Sequence, residues 1–224
     1  KMPRWLSEGI SVYEERQAKP AWGQRINPRY RAMILGKDLT PISELSGSFM
    51  SPESQLHLQF AYYQSSLVVE HIIERFGTKA IASILKDLGR GVEINTAIAK
   101  HTEPMNKLES AFKNYAHTKA NALAPELDWT ELDPKILRAG IEEFAKKHPK
   151  NYYLFVREAR RALDEKDWES VKAPCLELIR LFPKQSGGQS NAYAMLARAY
   201  RELEEFDEER KALETLASMS DDAY

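Results

Sequence analysis

A single cysteine, Cys175, in 224 residues excludes an intrachain disulfide and any cysteine-built zinc cluster. Set in a leucine-rich helical stretch with nothing nearby to lower its pKa, it is expected to be buried and inert. Glycine is scarce, with ten residues, which argues against a loop-rich all-β chain. The longest uncharged run, 54–69, mixes Gln, His, Tyr and Ser into its apolar residues and is too short to cross a bilayer, so no membrane span is expected. No basic stripe is concentrated enough to make nucleic acid an expected partner. The chain has no G-x-x-x-x-G-K-S/T, no G-x-G-x-x-G and no G-x-S-x-G, which removes phosphate-cradling loops and a hydrolase nucleophile elbow. Its five histidines, His57, His71, His101, His117 and His148, include no i, i+4 pair enclosing a glutamate. His71 and Glu74, one turn apart, read as part of a solvated helix face. No targeting segment opens the chain. It starts without an initiator methionine, so further upstream residues are expected, and the compartment is not fixed.

What is present favours an all-α protein. Apolar residues make up 43% and charged residues 29%, and the length suffices for one large domain or two modest ones. Net charge is -1, but residues 1–124 carry +4 and residues 125–224 carry -5, a difference in sign that fits two modules.

Pro3 ahead of Trp5 and Leu6 predicts a helix running to about Arg16. Over 17–52 prolines and glycines recur, which predicts irregular structure with one or two short helices, one of them over 40–45 and capped by Thr40. The strongest pattern covers 52–76, where Leu58, Ala61, Tyr62, Ser65, Val69, Ile72 and Phe76 define one apolar face and Gly77 supplies the stop. Further helices are expected over about 78–88, over 94–100, and from Pro104 through Leu108, Phe112 and Tyr115. The acidic stretch 125–133 (PELDWTELD) reads as a linker between 1–124 and 134–224.

Past that linker the sequence repeats. "EKDWESVKAPCLELIRLFPK" (165–184) and "LEEFDEERKALETLASMSDD" (203–222) align without gaps at an offset of 38, which sets Trp168 over Phe206 and Leu178 over Leu216. With Phe155, Ala159 and Ala162 in one unit and Tyr193, Leu196, Ala197, Tyr200 and Leu213 in the next, this half resembles the tetratricopeptide repeat, at about two and a half units. Glu158 stands where that repeat usually has a large apolar residue, and Pro174 is expected to kink its helix. Trp168 and Phe206 are expected to pack. The resemblance implies a groove that receives a protein or peptide partner, faced by Tyr153, Val156, Arg160, Asn191, Ala194, Arg198 and Arg201. Its arginines suit an acidic peptide or a chain terminus.

The opening "PRWLSEGISVYEE" resembles the segment of gluzincin zinc metallopeptidases, the peptidase-MA-like family in particular, that carries the third zinc ligand. Trp5, Leu6, Glu8, Gly9 and Tyr13 match that pattern, and "FAYYQSSLVVEHIIERFG" and "INTAI" with "MNKLESAFKNYA" resemble the closing helices of the same domain. The resemblance covers about 1–117. It implies Glu8 as an oxygen ligand to zinc, Gly9 as the point where two helices approach, and Tyr62 as a catalytic group at the developing oxyanion, although a core role suits Tyr62 as well. Zinc is expected in an intact parent protein whose upstream part supplies H-E-x-x-H, and none in this chain alone, which is not expected to be catalytic by itself. Two other readings stay open: a non-catalytic repeat scaffold with a degenerate peptidase-like domain, and Glu8 as a solvated surface charge.

Overall fold

The computed structural model describes residues 1–19, 21–133, 135, 138–185 and 191–219. Among them are twelve α-helices and one 3-10 turn, with no β-strand. The protein is all-α. It divides into two compact units, Lys1–Leu123 and Ala124–Tyr224. No helix among the described residues is long and apolar enough to cross a membrane.

The first unit carries α1 (Arg4–Ala18), α2 (Pro28–Leu35), the 3-10 turn (Ile42–Glu44), α3 (Leu45–Met50), α4 (Gln55–Phe76), α5 (Thr78–Gly89), α6 (Ile94–His101) and α7 (Met105–Asn121). Its axis is α4, which packs against α1, α3, α5 and α7. Ser54 starts α4 by accepting the His57 N–H, and Gly77, at φ +77°, ends it. Periodicity predicts one apolar face, but α4 is buried nearly all round, with Phe60, Tyr63, Leu67 and Val68 inside as well as Ala61, Val69 and Ile72. Gln64, Ser65, Ser66 and His71 are buried with them and hide this in the sequence. Gln64 meets its needs on the Thr40 backbone, accepting from the N–H at 3.2 Å and donating to the carbonyl.

In the broken 17–52 stretch, Asn27 accepts the Tyr30 N–H with Pro28 at the first helical position, which makes α2. The helix predicted over 40–45 is instead the 3-10 turn leading into α3. Thr40 caps neither, because its hydroxyl meets Ser48 at 3.2 Å.

The second unit holds α8 (Arg138–Lys147), α9 (Tyr152–Asp164), α10 (Trp168–Leu181), α11 (Ala192–Glu202) and α12 (Phe206–Met219). Helices stack in chain order, α9 on α10, α10 on α11 and α11 on α12, and α9 also touches α11. Asn151 and Asn191 begin α9 and α11 in the same way: each is fully buried, accepts N–H groups of its own helix and donates to a carbonyl of the preceding segment. Residues 125–133, expected as a linker, are held to this unit. Leu127 is buried, and the Asp128 backbone pairs with Lys150 and Tyr152. The buried Pro174 lies inside α10, which continues past it to Leu181. Glu158 is half-buried, and burial raises its carboxyl pKa. The helix start at 133–134 and the turn over 184–190 fall largely outside the described residues.

Trp168 and Phe206, both expected to pack, differ. Trp168 is half-buried with the Arg198 guanidinium 5.7 Å from its ring centre, whereas Phe206 is 61% exposed. Their neighbours one turn on behave alike: Lys172 reaches Glu205 at 2.7 Å and Glu169 at 3.0 Å, while its counterpart Arg210 reaches Asp207 alone among the described residues. The cause is stacking. One face of α10 is covered by α11, and no described helix covers the same face of α12.

Candidate functional site

In the first turns of α1, Arg4 and Glu8 lie one turn apart on the solvent side, while Trp5 and Leu6 turn into the core. The Arg4 Nε meets the Glu8 carboxylate at 3.3 Å, and Arg4 Nη2 donates to the Tyr62 hydroxyl of α4 at 2.7 Å. The guanidinium also lies 5.7 Å from the Phe49 ring centre and 5.9 Å from that of Tyr62, and those rings meet edge to face. The hydrogen bonds that Arg4 donates, first to Glu8 and then to Tyr62, raise its pKa. Glu8 keeps 34% of its side-chain surface open and Tyr62 is half-buried. The tertiary fold thus joins two residues 54 positions apart through one cation.

Gly9 makes this possible. A Cβ there would stand 2.7 Å from the Ser65 carbonyl oxygen, so α1 rests directly on the α4 backbone. Arg16 and Lys119 fix the far end of the same contact by clamping Glu70 of α4. Burial works against the Glu70 carboxylate, but the Lys119 hydrogen bond and the Arg16 charge outweigh it and hold its pKa below the ordinary value.

His71, expected on a solvated face, is 3% exposed between Phe112 and Tyr115, while the Glu74 side chain is 52% exposed. Neither ring nitrogen of His71 has a hydrogen-bond partner, and burial lowers its pKa to about 4. It is not paired with Glu74. Cys175 is buried, and burial pushes its thiol up to about 12, leaving no thiolate to react.

No group of three or more His, Cys, Asp or Glu side chains among the described residues is placed to hold a metal ion. Glu8 is a single carboxylate with an arginine already beside it. These residues do not fit zinc without ligands from elsewhere.

On the second unit, Tyr153, Val156, Arg157 and Arg160 line an open depression together with Arg161, Asp164 and, just past the end of α9, Glu165. The α11 residues expected beside them are engaged differently. Arg198 covers Trp168, and Arg201 Nε donates to Glu209 at 2.7 Å. Asn191 is corrected from a groove residue to a buried helix cap, because its amide is consumed by the Tyr193 and Ala194 N–H groups and the Gln185 carbonyl.

Sequence reasoning missed Arg4 as the joining group. Its i, i+4 relation to Glu8 was there to find, but nothing local points to Tyr62. No protein-family model matches the chain, and no curated protein and no solved structure shows significant similarity to it.

Proposed function

We propose that this chain is the C-terminal part of a gluzincin-like peptidase domain joined to a tetratricopeptide-type protein-binding array. Its metal site is completed by an H-E-x-x-H segment outside residues 1–224. The reading is supported chiefly by the convergence of Glu8 and Tyr62 on Arg4, since these are the two residues the peptidase resemblance singles out. Glu8 contributes one carboxylate, half-open to solvent and held in place by Arg4. The depression along α9, where Arg157, Arg160 and Arg161 outnumber Asp164 and Glu165, receives an acidic peptide segment of the substrate or of a partner.

Zinc quantified by mass spectrometry in the full-length gene product tests this. The protein carries about one zinc per chain, and Glu8→Ala loses zinc and peptidase activity together. Stoichiometric zinc in Glu8→Ala overturns the ligand assignment.

A second reading, a non-catalytic scaffold, is favoured by the Arg4 partner that Glu8 already has. It predicts a full-length product without H-E-x-x-H and without zinc, in which Glu8→Ala changes neither folding nor partner binding.

A further inference from the structure

The aligned helices α10 and α12 carry the same stripe of positions along one side, and among the described residues only the stripe on α10 is covered. On α10 it is Trp168, Lys172, Cys175 and Ile179. At the offset of 38 it becomes Phe206, Arg210, Leu213 and Ala217 on α12, each set spaced by three or four residues and so sharing one helix face. The adjoining face is buried alike in both helices, by Val171, Pro174 and Leu178 in α10 and by Glu209, Ala212 and Leu216 in α12.

The α10 stripe shows what such a face accepts. From α11 and the turn after it come three groups: the Arg198 guanidinium 5.7 Å from the Trp168 ring centre, the Tyr200 ring centre 5.5 Å from the Lys172 ammonium, and the Glu205 carboxylate 2.7 Å from that ammonium. Lys172 keeps 19% of its side-chain surface open, and Cys175 is fully buried. On α12 the local half of this arrangement recurs, since Arg210 holds Asp207 at 3.0 Å as Lys172 holds Glu169. The half supplied by a second helix is missing among the described residues. The Arg210 side chain is accordingly 65% open, and Phe206 and Ala217 are exposed beside the half-buried Leu213.

We infer that this face of α12 docks an amphipathic helix of another protein, one that presents an arginine to Phe206 and a carboxylate to Arg210 and is seated as α11 sits on α10. The apolar stripe supplies the contact area for a helix. Charge then selects among helices, because the stripe carries a cation and no acid of its own. A second copy of this chain does not bring the matching set on α11, since its Arg198, Tyr200 and Glu205 are engaged on its own α10. The inference rests on the two aligned helices, and on neither the peptidase reading nor the α9 depression.

The α11 sequence is itself the probe. A fluorescein-labelled peptide of residues 191–205 (NAYAMLARAYRELEE) is titrated with the 224-residue protein at low salt and followed by anisotropy. It binds 1:1 with a Kd on the order of 100 μM, weakened by the cost of ordering the free peptide. Phe206→Asp reduces affinity roughly tenfold or more and Arg210→Glu about threefold or more, and a peptide carrying Glu205→Arg regains affinity for Arg210→Glu while losing it for the parent. Each protein variant keeps the parent's thermal midpoint, because both side chains are exposed. No saturable binding below about 1 mM, unchanged binding in Phe206→Asp, or no recovery with the reversed peptide overturns the assignment. A dimer of the parent in sedimentation that Phe206→Asp dissociates also overturns it, by placing a second copy on this face.

Discussion

His71 is held neutral inside α4 with both ring nitrogens unpartnered. Its pKa is about 4 in the fold against an ordinary 6.5, so the unfolded chain binds the proton more readily between those values. The stability it contributes is complete above pH 6.5 and is lost as pH falls towards 4, a change of about 3 kcal/mol. Urea unfolding at pH 7 and pH 4.5 should show most of that loss, about 2 kcal/mol, in the parent and a much smaller one in His71→Leu. Parallel pH dependence in the two proteins refutes it. Gly9 fails for a different reason. Gly9→Ala should cost about 2–4 kcal/mol, because the new methyl meets the Ser65 backbone. Gly47→Ala, with nothing within 4 Å of the added Cβ, should be neutral or stabilising by up to about 1 kcal/mol. Equal thermal midpoints for the two variants would contradict the close contact of α1 with α4.

At the scale of elements, the repeat gives its own control. α10 and α12 share aligned residues, but among the described residues only α10 has a further helix on its outer face. Trp168→Ala should therefore cost about 1–3 kcal/mol, whereas Phe206→Ala should change stability by less than about 0.5 kcal/mol. Thermal unfolding of both variants measures the difference, and equal losses would mean that Phe206 is covered in solution. Asn151 and Asn191 cap their helices in the same way. Asn191→Ala removes bonds to two N–H groups of α11 and one to Gln185, and should destabilise by about 1–2 kcal/mol.

At the scale of the whole molecule, Lys1–Leu123 and Ala124–Tyr224 each enclose their own buried residues. Expressed separately, residues 1–123 and 124–224 should each unfold in one cooperative transition. Circular dichroism during urea titration reads this directly, and a non-cooperative profile from either piece contradicts independent folding. The separated second unit should keep the His148 and Asp128 contact, since both residues lie within it.

Helix existence was legible wherever apolar spacing, a cap and a stop agreed. Gly77 ended α4 at the predicted place, and α5, α6 and α7 follow the predicted spans closely, because backbone conformation there is decided by neighbours in sequence. Leu178 and Leu216, aligned at an offset of 38, are both fully buried. Other features depended on residues distant in sequence. The burial of His71 and Gln64 follows from α7 and from the segment before the 3-10 turn closing over α4, which no local pattern encodes. The exposure of Phe206 depends on what stacks beyond α12, the burial of Asn191 on a carbonyl six residues earlier, and the joining of Glu8 to Tyr62 on a glycine that lets two helix backbones touch. Local chemistry in the sequence determined the helices and their ends. Tertiary packing alone decided which polar groups lost water and which charges met, because desolvation and ion pairing are set by distance in space rather than along the chain.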